Sequence, residues 1–152
     1  MIREERDPAF WYEIASHPAL EGALMGLSAN QVAETAMQAS ILPLASDNGG
    51  FFFGRMDALG LTVELHTVYR PAGWGREVSV AAKQAFTWVF GVAQVIVTCE
   101  VSRNHRSSPP RSFGFAIAGD WQITPIGRLR PWVLTRRAWE TSPAHRRLIS
   151  CR

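Results

Sequence analysis

Apolar residues recur along this chain with two different periods, and each period marks a different kind of element. Phe10, Trp11, Ile14 and Ala15 follow Asp7-Pro8 at helical spacing, with Asp suited to the N-cap and Pro to the first helical position. His17-Pro18 stops that helix, and the residues before it suit a short strand. A second helix is expected from about Ser28 to Ala39, with Ser28 and Gln31 placed for a capping box. Residues 40–46 read as a strand in which Pro43 argues for an edge or an irregular start. Asp47-Asn48-Gly49-Gly50 signals a tight turn, and Phe51-Phe52-Phe53-Gly54-Arg55 returns as a second strand. After a turn at Ala58–Gly60 the period becomes two: Leu61, Val63 and Leu65 share one face, Thr62, Glu64 and His66 the other. That is a half-buried strand, so residues 40–68 are expected to form an antiparallel meander.

The next segment, Tyr69 to Arg76, carries two glycines and leads into a helix from about Gly75 to Phe90. Val78, Ala81, Ala82, Ala85, Phe86 and Val89 mark its apolar face. Residues 93–101 are β-rich and almost continuously apolar, which suits a buried strand reached by a helical crossover, with a parallel partner. Residues 102–113 are polar and basic and should hold a loop and a short helix, closed by Gly114-Phe115. A last pair of strands is expected at 116–124 and 131–139, joined by Pro125–Arg130. The result is a mixed α/β domain over 1–140, followed by a frayed basic tail over 141–152.

Composition narrows the function classes only a little. With 152 residues, 47% hydrophobic and 19% charged, the chain suits one ordinary globular domain. The formal charge of +3 is small, and Lys83 is its only lysine. Arginine suits planar recognition of phosphate and carboxylate. Arg136, Arg137, Arg146 and Arg147 form a basic patch, but no interleaved aromatics or nucleic-acid fold signature accompany it, which argues against a nucleic-acid partner. Cys99 and Cys151 lack any disulfide or metal spacing, so no metal is expected and a reducing, cytoplasmic compartment fits. The charged N-terminus is unlike a signal peptide, and no apolar run is long enough to span a membrane. Trp11, Trp88, Trp121, Trp132 and Trp139 fall on periodic apolar elements and read as core residues.

The informative constellation is a strand, then Arg70-Pro71-Ala72-Gly73-Trp74-Gly75-Arg76, then a helix. Glycines at a helix start let backbone amides approach a ligand, and the amides with the helix dipole attract phosphate oxygens. Arg70 and Arg76 flank the turn with charge-assisted donors. The spacing matches neither the dinucleotide fingerprint nor the P-loop. The stretch from Leu65 to Arg76 resembles the acetyl-CoA-binding motif of the GCN5-related N-acetyltransferases, Arg/Gln-x-x-Gly-x-Gly/Ala at a strand-to-helix junction. A second family feature follows in order: a strand ending at Cys99-Glu100, then Asn104, Ser107 and Gly114-Phe115.

This resemblance implies the family's fold, with a splayed central sheet, and its activity: transfer of an acetyl group from acetyl-CoA to a primary amine by direct attack. It implies that amides of Pro71, Ala72, Gly73, Trp74, Gly75 and Arg76 cradle the CoA pyrophosphate. The backbone around Val63 and Leu65 would pair with the pantetheine arm, and Asn104 and Ser107 would contact the cofactor. One strand amide would polarise the thioester carbonyl. Glu64 and Glu100 are the candidate bases for the amine proton, with His66 as an alternative. The family often places a Tyr before Gly-Phe as the acid for the leaving thiolate; this chain offers Ser107, Ser108 and Ser112 there instead, beside Pro109-Pro110. Ser112 is the candidate acid. That departure keeps open a CoA-binding or protein-interaction module with weak or no turnover. The segment near residues 20–30 would shape the acceptor pocket, and homodimers are common in the family.

Overall fold

A computed structural model describes residues 1–102 and 108–149 of the chain. The elements, in order, are β1 (Arg3–Glu4), α1 (Pro8–Ala15), α2 (Ala29–Ala36), β2 (Ile41–Ser46), β3 (Gly49–Arg55) and β4 (Thr62–Tyr69). They continue with α3 (Arg76–Val89), β5 (Val95–Val101), β6 (Ala116–Ile117), β7 (Gln122–Thr124), β8 (Gly127–Thr135), α4 (Arg136–Thr141) and α5 (Pro143–Ile149). Short 3-10 turns lie at Pro18–Leu20, Pro71–Gly73 and Arg111–Phe113. The strands form an eight-stranded sheet in the order β1-β2-β3-β4-β5-β8-β6, with β7 on β8. The mixed α/β class and the meander followed by a β-α-β crossover are therefore as the sequence implied.

Two compact units share β4: residues 1–55 with 65–87, and residues 56–64 with 88–149 among those described. In the first unit, local signals set the helix starts. Asp7 accepts from the Ala9 amide at 2.9 Å, and Ser28 and Gln31 make the reciprocal capping box at 3.2 and 2.8 Å. α2 stops at Ala36, three residues short of the expected end. The core gathers Trp11, Ile14, Val32, Ala33, Ala36, Phe52 and Val68. The Trp11 ring lies tilted against Phe52 with centroids 4.3 Å apart and donates its indole N–H to the Glu5 carbonyl at 2.8 Å, so burial leaves its one polar atom paired. Pro43 lies inside β2, opposite Phe52, and not at an irregular end. Its ring costs the ladder no partner here, because its carbonyl does the pairing, accepting from the Glu5 amide at 3.0 Å.

In the second unit, β5 runs parallel to the start of β4, from Thr62↔Val95 to Glu64↔Val97, and antiparallel to β8 along its whole length. β8 begins at Gly127 and ends at Thr135, where Thr135 caps α4 by accepting from the Ala138 amide at 3.2 Å. The second of the expected final strands is thus shifted toward the N-terminus, and residues 136–139 are helical. A capping threonine outweighed the apolar pattern there. Residues 143–149, expected in a frayed tail, form α5, started by Ser142, whose side chain accepts from the His145 amide at 3.1 Å. Ala144 is buried, and His145 packs edge-on to Trp139 at 5.0 Å. Arg146 caps α4 by donating twice to the Thr141 carbonyl, at 3.1 and 2.8 Å. Two tryptophans also depart from the core reading: Trp88 is about half exposed, and Trp121 lies half-buried beneath the Arg130 guanidinium at 4.7 Å.

Candidate functional site

β4 delivers the chain into the glycine turn in the first unit. Tyr69 is buried at its end, Pro71–Gly73 make one 3-10 turn, and α3 begins at Arg76. Pro71 suits the first position of that turn because it needs no N–H there. The turn closes through the Gly73 amide to the Arg70 carbonyl at 2.9 Å and the Trp74 amide to the Pro71 carbonyl at 3.1 Å. The two glycines serve different purposes. A Cβ on Gly73 would stand 2.6 Å from Tyr69 Cδ1 and 2.9 Å from Asn48 Cβ, so the backbone packs there with no room to spare. Gly75 has φ +87° and open space above its α-carbon. Buried packing beneath and bare backbone above is what close ligand approach requires. The Trp74 indole donates to the Tyr69 carbonyl at 2.8 Å, which folds its ring back along the loop. Ala72, Gly75 and Arg76 are exposed, and a shallow pocket of about 480 Å³ beside them is lined by Ser46, Trp74, Glu77 and Gln84 among others.

A polar network that the sequence reading missed lies beneath this loop. Glu77, in the first turn of α3, accepts from Ser46 Oγ at 2.7 Å, from the Asn48 amide at 2.9 Å and from Asn48 Nδ2 at 2.7 Å. Burial pushes its carboxyl upward, but the bonds from Ser46 and Asn48 outweigh that and hold it below the usual carboxylate range. Ser46 is buried and also bonds the Tyr69 hydroxyl at 2.9 Å. Tyr69 is pushed up to about 12, first by burial and then by the Glu77 charge. Arg70 takes part as well: its Nε donates to Asn48 Oδ1 at 2.9 Å and its Nη1 to Glu13 at 2.9 Å. Two of the Arg70 donors, expected to face phosphate, are thus spent on Asn48 beneath the loop and on the exposed carboxylate of Glu13. An acidic residue in the first turn of α3 was the one available signal of this network.

In the second unit the two candidate bases part company. Glu64 is half-buried on β4 and is the last residue there in parallel register with β5. Its charge is felt at Cys99, whose thiol is pushed up by burial first and by Glu64 second. Glu100 is held by three donors. One carboxylate oxygen accepts from Arg130 Nε at 3.0 Å, Arg130 Nη2 at 2.7 Å and Trp132 Nε1 at 2.9 Å. Burial raises its pKa, yet these bonds and the Arg130 charge outweigh it and hold the carboxyl low. A carboxylate so stabilised is a weaker proton acceptor than a free one, and its bonds tie β5 to β8. Ser112 sits exposed on the Arg111–Phe113 turn, fixed by buried Phe113, which stacks on Trp139 at 5.8 Å. Val63 and Leu65 point their side chains inward, both 6% exposed. Asn104 and Ser107 lie outside the described residues. Among the described residues no group of three or more His, Cys, Asp or Glu gathers as a metal site, and no helix is long and apolar enough to cross a membrane.

No protein-family model and no curated protein matches this chain. Solved structures do. An aminoglycoside acetyltransferase in complex with coenzyme A aligns at TM-score 0.69 with 18% identity, over 92% of this chain and 96% of that one. A spermidine N-acetyltransferase from Vibrio cholerae, in complex with CoA and spermine, aligns at TM-score 0.73 with 11% identity, over 91% and 96%. A putative acetyltransferase from Salmonella typhimurium with acetyl-CoA aligns at TM-score 0.67 with 21% identity, over 89% and 92%. The chain therefore has the fold of the GCN5-related N-acetyltransferases.

Proposed function

We propose that this protein is an acyl-CoA-dependent N-acyltransferase, with acetyl-CoA as donor and a primary amine as acceptor. The observation that carries the reading is the β4–glycine turn–α3 junction, packed tightly below at Gly73 and bare above at Gly75. Its fold neighbours with bound CoA or acetyl-CoA support the choice of donor. In this reading the amides of Ala72, Gly75 and Arg76 and the start of α3 hold the pyrophosphate, whose charge the helix dipole favours. Exposed Arg76 adds a cation, and the backbone of β4 near Val63 and Leu65 aligns the pantetheine arm. The amine nitrogen attacks the thioester carbon, the C–N bond forms, the C–S bond breaks, and CoA leaves as a thiolate. Glu64 takes the amine proton. Ser112, or water, returns a proton to the thiolate. The free thiol of Cys99 supports a reducing, cytoplasmic setting.

A melt with and without acetyl-CoA tests the donor. Ligand at ~100 times its dissociation constant adds about 2.7 kcal/mol, which is several degrees for a chain of this size. Ala72→Glu, an acidic group on the exposed loop, should abolish the shift and leave the ligand-free melt unchanged. If the wild-type protein shows no shift at millimolar acetyl-CoA, the acyltransferase reading is wrong. The second reading, a CoA-binding module without turnover, is favoured by one observation: Glu100 is already committed to Arg130 and Trp132. A shift with acetyl-CoA but no CoA release against a panel of amines would select it.

A further inference from the structure

The β2–β3 hairpin turn is clamped to the underside of the glycine loop, and the clamp runs through one side chain. Asn48 meets the segment from Arg70 to Glu77 in five ways, one of them its own amide donating to Glu77 at 2.9 Å. Its carbonyl accepts from the Arg70 amide at 3.0 Å and its Oδ1 from Arg70 Nε at 2.9 Å. Its Cβ is the surface on which Gly73 rests, and its Nδ2 donates to Glu77 at 2.7 Å. These bonds leave the amide one orientation, because Oδ1 must face the Arg70 donor and Nδ2 the Glu77 acceptor. The two ends of the loop, Arg70 and Glu77, are thus joined through Asn48 at a fixed separation.

We propose that Asn48 and Glu77 are positioning residues that hold the 70–76 backbone in its ligand-binding shape before the donor arrives. This rests on the acyl-CoA reading above. Neither side chain needs to touch the donor; they set where the loop amides stand, and preorganised amides bind without an ordering cost. Glu77 would otherwise be an odd neighbour for a phosphate. Its three donors turn the carboxylate under the loop and absorb its charge there.

The donor pattern allows a swap test. Asn48→Asp sets carboxylate against carboxylate. Glu77→Gln sets one amide donor against another, since Asn48 cannot turn without facing Arg70 with a donor. Asn48→Asp with Glu77→Gln restores every bond: the new Gln Nε2 donates to the new Asp, the Gln oxygen still accepts from Ser46 and the residue-48 amide, and Asp still accepts from Arg70. Acetyl-CoA dissociation constants, steady-state KM and kcat, and amide exchange at Gly73 and Trp74 without ligand are measured for all four proteins. Each single variant should weaken acetyl-CoA binding and raise KM roughly tenfold with kcat held, and speed exchange at Gly73 and Trp74. The double variant should recover all of these. Singles that match the wild type in exchange and affinity, or a double variant as weak as the singles, would overturn the brace. If wild-type protein fails to bind acetyl-CoA, the donor reading falls and the exchange pattern alone judges the brace. Should a single variant not fold, Ser46→Ala, which removes one donor to Glu77, takes its place in the exchange measurement with the same expected direction.

Discussion

The glycine loop of the first unit and the Glu100 cluster of the second both followed from one stretch of sequence reasoning, and they came out differently. In the proposed reading the loop acts through backbone amides. Backbone chemistry is the same for every residue, so glycine spacing at a strand-to-helix junction is enough to locate it. Glu100 was chosen for its side chain at the end of a strand. Whether a carboxylate can act as a base depends on what surrounds it, and Arg130 and Trp132, 30 and 32 residues away, already use it. Spacing along the chain locates a backbone turn well and a side chain's partners poorly.

That contrast can be pressed hardest at the two acids. Glu64→Gln should lower kcat by about 10²–10⁴ with little change in the KM for acetyl-CoA. Glu100→Gln should leave kcat near wild type and instead lower the urea midpoint, because a neutral amide is a weaker partner for Arg130. If Glu100→Gln removes turnover and Glu64→Gln does not, the division between the two regions is reversed.

A smaller effect separates the two glycines. Gly73→Ala should cost about 3 kcal/mol in chemical unfolding, since its Cβ meets Tyr69 and Asn48 below contact distance. Gly75→Ala meets nothing and should cost only the strain of its positive φ, about 1 kcal/mol. Equal costs would mean that the loop is not packed from beneath.

The smallest effect is a pH dependence. Tyr69 is raised from 10.0 to about 12, so its neutral form is favoured in the folded chain. The stabilisation is complete below pH 10 and is lost as the pH rises through 12. By pH 11 it amounts to a loss of about 1.4 kcal/mol relative to neutral pH. Unfolding free energies of wild type and Tyr69→Phe from pH 8 to 11 should therefore converge by that amount. Parallel curves would show that Tyr69 titrates normally, and that the network beneath the loop is open to water.

Much of the fold was legible because its signals are local. Asp7-Pro8, Ser28 with Gln31, Asn48-Gly49 and the alternation from Leu61 to Leu65 each act within a few residues, and each element began within two residues of where the pattern put it. The end of the chain misled for the same reason. Thr135 and Ser142 are capping residues, but their strength against an apolar run and an arginine-rich stretch depends on Trp139 and Ala144 finding a core. Polar partnerships were the least legible. Asn48 was visible as a turn residue but not as the centre of a clamp.

By itself the amino-acid sequence determined the order of strands and helices from β1 to β5, the first helix caps and the glycine turn between β4 and α3, because hydrophobic period, capping and backbone permissiveness are properties of neighbouring residues. Only the tertiary structure decided that Arg70 bonds Asn48 and Glu13, that Ser46 and Asn48 meet Glu77 beneath the loop, and that Glu100 is bound to Arg130 and Trp132. Those outcomes depend on which donor folding brings to which acceptor, and a hydrogen bond across tens of residues leaves no period in the chain.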